Sequence, residues 1–308
     1  MSKYSVVIPV FNEEMVINET YNRLKKVMDS TKEDYDLIFV NDGSVDSTAN
    51  LIKQISAKDK KVKLLDFSRN FGHQIAISAG IDYAEGDAVA IIDADLQDPP
   101  EVILDMIKKW KEGYEVIYGK RIKRKGETLF KKITAYFFYR FLKNLTNYEI
   151  PLDTGDFRLI DKKVCNVMRQ LTERSRFMRG LTSWVGFKQT YIEYVREERA
   201  AGETKYPLRK MVNFALDAIA SFSYKPLRLG SYLGFAFSGV SFMYFLYVIY
   251  LRLFTNKTVI GWTSLAAVTL FSFGIVFIML GIIGEYIGRI YEETKNRPLY
   301  ILREKIGF

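Results

Sequence analysis

In Ile91–Pro100, IIDADLQDPP, two carboxylates one residue apart, Asp93 and Asp95, end an apolar run, and a third, Asp98, precedes two prolines. Charge gathered where a strand stops suits a divalent ion that bridges two phosphates. Mg²⁺ binds through one or two carboxylates and leaves its other positions to water and substrate phosphate. In extended backbone Asp93 and Asp95 project to the same side, and Gln97 offers a further oxygen nearby. A solvated loop explains an isolated Asp-x-Asp equally well; the preceding buried strand favours the metal. The chain has one histidine, His73, and one cysteine, Cys165. That excludes a His/Cys zinc site and an intrachain disulfide, and it fits a reducing compartment. A metal held here is held by oxygen, which selects Mg²⁺ or Mn²⁺.

Collecting such carboxylates on one rim is the work of a parallel sheet, and the first two-thirds of the chain alternates strand and helix patterns as an α/β sheet requires. Tyr4–Val10, YSVVIPV, reads as a buried strand ended by Pro9 and the polar FNEE, with helical spacing over Met15–Met28. Asp36–Ser44, DLIFVNDGS, reads as a second strand running into a turn, then a helix to Lys58. VKLLDFS is a third strand, followed by a helix over Gln74–Ala84; AVAIIDAD is the fourth and YEVIYGKR the fifth. Ligands of open α/β sheets sit at the carboxyl ends of the strands. Glu13, Glu14, Asn41, Asp42, Asp93 and Asp95 all fall at such ends. No GxGxxG follows the first strand and no GxxxxGK[ST] occurs, so dinucleotide and P-loop sites lack their fingerprints.

The last third differs. Leu229–Leu251 and Thr258–Gly284 contain no charged residue, and each exceeds the roughly 20 apolar residues that cross a bilayer core. Arg196, Arg199, Lys205, Arg209, Lys210, Lys225 and Arg228 precede the first stretch, and Arg289, Lys295, Arg297, Arg303 and Lys305 follow the second. Only Arg252 and Lys257 lie between, so the positive-inside bias puts both termini in the cytoplasm. Residues 205–230 mix basic and apolar side chains at helical spacing, as an interfacial helix does; an ordinary linker helix shares the pattern. Gly230 with Gly234, and Gly284 with Gly288, have the spacing that lets membrane helices approach closely. No cleavable signal peptide precedes the first strand, so the carboxylates are expected on the side where the chain is made. The net charge of +9 calls for an anionic partner. Its basic residues gather beside the apolar stretches, which favours lipid headgroups over nucleic acid.

PVFNEE, NDGSVDST, DFSRNFGHQ, DADLQDPPE and GDFRLID occur in this order. Together with the two apolar stretches they resemble the family 2 glycosyltransferases of GT-A fold. The branch they resemble uses polyprenyl phosphate and includes bactoprenol glucosyltransferases and dolichyl-phosphate mannose synthases. The resemblance covers nearly the whole chain. It implies an α/β GT-A nucleotide-sugar transferase domain over residues 1–200 and juxtamembrane amphipathic helices over 201–228. A two-helix transmembrane hairpin over 229–288 and a cytoplasmic tail over 289–308 would follow. The implied activity is metal-dependent, inverting transfer of one sugar to a polyprenyl (undecaprenyl) phosphate at the cytoplasmic face of the plasma membrane. A UDP-sugar is the favoured donor, with glucose ahead of other hexoses and GDP as the alternative nucleotide. A homo-oligomer is compatible with this reading.

By the same resemblance, Pro9, Phe11, Asn12 and Glu14 line the nucleotide edge, and Asp42 recognises the base. Asp93 and Asp95 bind the metal, with Gln97 as an additional ligand and Asp95 counted among the catalytic residues. Asp156 matches the residue proposed as catalytic base and Arg158 anchors its loop, while Lys120 and Arg121 would face phosphate. Physical chemistry tempers the role of Asp156. A phosphate monoester has a second pKa of about 6 and is largely dianionic near neutrality, so Asp156 orients acceptor or sugar as readily as it removes a proton. A plain salt bridge to Arg158 is the structural alternative. Arg121, Lys123, Arg124 and Lys125 form a basic run that either meets the acceptor phosphate and the membrane or is a solvated loop. His73 either touches nucleotide or sugar or is a hydrogen-bonded structural histidine, and the directions of Arg176 and Arg179 are not readable. Two rivals stand beside this function. A processive polysaccharide synthase would carry a Gln-x-x-Arg-Trp motif, which is absent. A non-catalytic membrane protein that uses the domain to bind a partner is opposed by the intact Asp93–Asp95 pair.

Overall fold

The computed structural model describes residues 2–122, 154–174, 176–197, 225–254 and 261–308. The chain divides into two compact units, Met1–Val212 with Arg297–Phe308, and Asn213–Asn296. The first alternates strand and helix: β1 (Lys3–Val10), α1 (Ile17–Asp29), β2 (Asp34–Asn41), α2 (Thr48–Lys58), β3 (Val62–Phe67), α3 (His73–Tyr83), β4 (Ala88–Ile91), α4 (Val102–Lys111) and β5 (Val116–Arg121). After residues 123–153 come β6 (Thr154–Asp161), α5 (Lys162–Gln170), α6 (Met178–Trp184) and β7 (Gln189–Tyr194). The expected alternation is present, and the unit is a mixed α/β domain.

Local sequence explains the elements. Every residue of β1 from Tyr4 to Val10 is buried, as in a strand covered on both faces, where an unbroken apolar run replaces alternation. Helix α1 buries Ile17, Thr20, Leu24, Val27 and Met28, a stripe at helical spacing. Helix α5 starts at Asp161, whose carboxylate accepts from the Lys163 amide at 2.8 Å and so satisfies one of the four amides a helix start leaves open. Tyr4, Ile8, Leu37, Phe39, Ile103 and Met106 meet in one core, each contributing roughly 1.5–3 kcal/mol through removal from water.

Among the described residues the sheet has eight strands in the order β7-β5-β6-β4-β1-β2-β3-β8, where β8 is Leu302–Ile306. It is not the purely parallel sheet that the strand–helix alternation suggested. Strands β1 to β4 are mutually parallel, and β5 runs parallel to β7. But β6 is antiparallel to both β4 and β5, and β8 is antiparallel to β3. The expected tail over 289–308 is likewise corrected: its second half is a strand on the β3 edge. The Ser68 amide donates to the Ile301 carbonyl at 2.9 Å, Tyr300 stacks on Phe67 with centroids 5.2 Å apart, and Tyr300 Oη donates to Asp82 at 2.9 Å.

The second unit contains α7 (Lys225–Phe254) and α8 (Trp262–Thr294). Gly234–Leu251 and Phe271–Thr294 within them are long and apolar enough to cross a membrane, and neither is buried. Phe235, Leu253 and Phe277 are exposed, so these are not core helices of this chain. Helix α8 runs ten residues past the expected end of its uncharged stretch at Gly284, to Thr294, and the Arg289–Glu285 pair at 2.8 Å supports that extension. Of the four spaced glycines only Gly230 is closely approached, by Met279. The expected interfacial segment over residues 201–224 and the basic residues Lys123–Lys125 lie outside the described residues.

Candidate active site

The carboxyl ends of β1, β2 and β3 form one half of the rim, and its polar residues are engaged in building loops. Pro9 is a buried strand residue paired with Val40, and Phe11 stands partly exposed beyond it. Asn12 sits in the left-handed region at φ 55°, which Asn tolerates better than most residues. Its Oδ1 accepts from the Val45 amide at 3.0 Å, while its own amide donates to Ser44 Oγ at 2.9 Å. Glu14 accepts from the Ser47 amide at 2.9 Å. Asn41 donates to Asp66 at 2.7 Å and accepts from Ser44 Oγ at 2.5 Å. Asp42 accepts from the amides of Phe71 at 2.7 Å and Gly72 at 3.0 Å. Burial raises the Asp42 pKa above the ordinary carboxylate value, with those two amides opposing the shift. Gly43, at φ 70°, comes so close to the Arg69–Asn70 backbone that a Cβ would lie 2.3 Å from the Arg69 carbonyl carbon, so only glycine fits there.

The other half of the rim gathers charge. The antiparallel register pairs Ala88 with Asp161 and Ile91 with Arg158, and beyond that last pair Asp93 and Asp156 both approach His73. The extended arrangement expected for Asp93 and Asp95 is not what forms. Strand β4 stops at Ile91, Leu96 adopts φ 57°, and the Gln97 amide donates back to Asp95 Oδ1 at 3.1 Å, so the chain turns at Asp95. Thr20 Oγ1 donates to the Ala94 carbonyl at 2.7 Å and ties this turn to α1. His73, first residue of α3, places Nε2 3.4 Å from Asp93 Oδ1 and 3.4 Å from Asp156 Oδ2. Gln74 donates to Asp156 Oδ2 at 2.8 Å. On the other side of that carboxylate, Arg179 Nε lies 3.5 Å and Arg158 Nη2 3.9 Å from Oδ1. Arg158 is itself buried and bonds the carbonyls of Gly155 at 2.9 Å and Met178 at 3.3 Å, and the hydroxyl of Thr182.

These neighbours set the charge states. Burial pushes the Asp93 carboxyl up to about 6, opposed by His73 and reinforced by Asp156, Asp98 and Asp95. Burial would also raise Asp156, but hydrogen bonding from His73 and the charges of Arg179 and Arg158 outweigh it and hold this carboxyl well below the usual range. His73 is raised to about 9 because Asp93, Asp156 and Asp42 overcome its burial. Three cations, His73, Arg158 and Arg179, therefore stand around two carboxylates.

A metal is implied by the resemblance, and the residues accommodate one. Asp93 Oδ1 is buried and accepts no hydrogen bond, with His73 Nε2 3.4 Å away. Among the described residues no cluster of three His, Cys, Asp or Glu side chains encloses an ion. An ion held by one or two carboxylates would need water or substrate phosphate to complete its shell. Asp93 and Asp95, the residues expected to hold it, lie in this turn with Gln97.

Other expected residues sit apart. Arg121 turns to Asp98, 3.3 Å away, and to Tyr194 Oη at 3.2 Å. Asp98 is buried, accepts from Tyr194 Oη at 2.6 Å and has Arg196 Nε at 3.4 Å. Lys120 alternates to the opposite face of β5, where it pairs with Glu193 at 2.8 Å over the Tyr191 ring. Arg176 serves its own loop, bonding the carbonyls of Glu173 and Met168 at 3.2 and 3.3 Å. Gln74 closes the DFSRNFGHQ motif but was given no role there, and Tyr194 carried no sequence signal of its own.

A model of the glycosyl transferase family 2 matches residues 5–168, and one of the GtrB C-terminal hairpin matches residues 225–290. An uncharacterized glycosyltransferase of Bacillus subtilis (strain 168), YkcC, is 61% identical over 99% of this chain and 94% of its own. The prophage bactoprenol glucosyl transferase homolog of Escherichia coli (strain K12) is 42% identical over 98% of each chain, as is the bactoprenol glucosyl transferase of Shigella phage SfII. With its charged rim on a mixed α/β sheet and two apolar helices behind it in sequence, the chain belongs to glycosyl transferase family 2 and is a glycosyltransferase of GT-A fold.

Proposed function

We propose that the protein transfers one sugar, with inversion, from a nucleoside-diphosphate donor to a polyprenyl phosphate at the cytoplasmic membrane face. Undecaprenyl phosphate is the favoured acceptor, and UDP-glucose or another UDP-hexose the favoured donor. The observation that carries this reading is the Asp93–His73–Asp156 group, in which one buried oxygen of each carboxylate accepts no hydrogen bond. The names of the bactoprenol transferase relatives support the acceptor.

The chain's own residues have distinct tasks in it. Asp93 and Asp95 hold Mg²⁺ or Mn²⁺, with Gln97 as a candidate third ligand. When bound, the ion neutralises charge developing on the leaving diphosphate. Phe11, Asn12, Glu14 and Asp42 frame the nucleotide. Asp156, held ionised by its cations, is a poor proton acceptor near neutrality. An acceptor phosphate already carries its negative charge, so Asp156 orients rather than deprotonates. Arg179, 3.5 Å from Asp156 Oδ1, is the cation assigned to a phosphate bound beside Asp156.

Chain connectivity supports a membrane hairpin with both termini on one side. Residues 1–212 and 297–308 belong to one compact unit, and β8 pairs with β3 inside it. A segment that leaves a folded unit and returns to it must cross the bilayer an even number of times, which two helices satisfy. The basic flanks then place that unit in the cytoplasm.

The test is transfer by purified protein in detergent. It would receive undecaprenyl phosphate and a panel of labelled UDP- and GDP-sugars, with Mg²⁺, with Mn²⁺ and with chelator. A lipid-extractable product from one donor, lost on chelation, is expected. Folded protein that makes no lipid product from any donor would overturn the reading.

A further inference from the structure

Near the start of α3, Gln74, the last residue of DFSRNFGHQ, makes two contacts that its place in that motif did not announce. Its Nε2 donates to Asp156 Oδ2 at 2.8 Å, and its Oε1 accepts from the Met178 amide at 2.8 Å. The amide orientation is forced, because a carboxylate can only accept and a backbone N–H can only donate. Met178 opens α6, where the first amides lack partners within the helix; Gln74 supplies one. The Met178 carbonyl is fixed as well, by Arg158 Nη1 at 3.3 Å. The next residue is Arg179, whose Nε faces the opposite oxygen of Asp156 at 3.5 Å. One side chain thus sets both the carboxylate and the turn that brings its cation.

The need for this brace lies in how His73 is shared. Its Nε2 is equidistant, at 3.4 Å, from Asp93 Oδ1 and Asp156 Oδ2. Without Gln74, Asp156 Oδ2 would keep only that divided contact, and its carboxylate would swing toward Arg179 and Arg158. The Asp93–Asp156 spacing would then no longer be defined. We propose that Gln74 is a positioning residue for the transfer reaction, one that holds Asp156 and the first turn of α6 in a single frame. This rests on the proposed function, in which Asp156 orients the reactants.

Gln74→Glu separates the two contacts. It keeps an acceptor for the Met178 amide at the same reach and replaces the donor with an oxygen that repels Asp156. The expected result is a kcat lower by about 10²-fold, the scale of a small misplacement of reacting groups, with the KM for the donor little changed. A merely structural Gln74 would leave kcat at the wild-type value in this variant, and that result would overturn the proposal. Gln74→Met, of similar length without donor or acceptor, serves if the first variant does not fold; kcat must fall there too. A second readout needs no activity. The melting temperatures of Q74E, D156N and the double variant should be non-additive, because removing the Asp156 charge relieves the repulsion. Additive changes would overturn the contact. Wild-type protein that transfers no sugar would count against the function, and the melting cycle would still decide the placement of Gln74.

Discussion

The two halves of the rim are built from the same residue types and put them to opposite uses. On the β1–β2–β3 side, Asn12, Glu14, Asn41 and Asp42 each bond a backbone amide or a neighbouring side chain, so their polarity is consumed in shaping the loops. On the β4–β6 side, Asp93 keeps a buried oxygen without a hydrogen bond and Asp156 is surrounded by cations. A carboxylate that stabilises its own loop is a scaffold. One left unsatisfied is destabilising alone and persists where a ligand completes it.

That contrast can be broken by mutation. Asp93→Ala should lower transfer by about 10³-fold, since several kcal/mol of charge stabilisation at the leaving group are lost. Its melting temperature should hold or rise, because burial and the neighbouring carboxylates outweigh His73 in raising the Asp93 pKa, which makes the ionised side chain a net cost to stability. A drop in activity accompanied by unfolding would place Asp93 with the scaffold instead. Asp42→Ala should do the reverse in stability. It leaves the Phe71 and Gly72 amides without their acceptor, at about 1–2 kcal/mol, readable as a lower denaturant midpoint. Unchanged stability would show that water replaces the carboxylate and that Asp42 is not a loop brace.

His73 sharpens the comparison through pH. Its pKa is raised to about 9, so its stabilising charge is fully present below the ordinary imidazole value of about 6.5 and lost as pH rises through 9. Melting curves of wild type and His73→Gln should therefore differ at pH 7 and converge by pH 10. A difference independent of pH would mean that His73 stabilises by packing. The smallest effect is expected far from either rim. Cys165 is buried, and burial pushes its thiol up to about 12, so iodoacetamide at pH 8 should label it only after unfolding. Rapid labelling of folded protein would show that α5 opens locally.

Much of this was legible in the sequence, for identifiable reasons. Strands β1, β2 and β4 read as apolar runs because both faces of the sheet are covered there. Strand β6 did not, since Asp156, Arg158 and Asp161 interrupt it; those charges are tolerated only because each meets a partner inside the fold. Strand β8, LREKI, is mostly exposed and looks like a polar tail. The Asp93–Gln97 segment does follow β4, yet the extended geometry expected of it does not form, because the left-handed Leu96 leaves no mark in composition. Arg121 looked like a phosphate ligand because Asp98, which holds it, is distant in sequence. Spacing reveals which residues share an element, but not which elements face each other.

The antiparallel pairing of β8 with β3 also constrains how the protein is made. Synthesis runs from the N-terminus, so β3 is complete long before its outer neighbour exists. That edge stays bare while both apolar helices leave the ribosome. An unpaired strand edge is a template for aggregation. If the two apolar helices form the proposed membrane hairpin, that edge can be covered only in a chain whose hairpin has returned its end to the starting side.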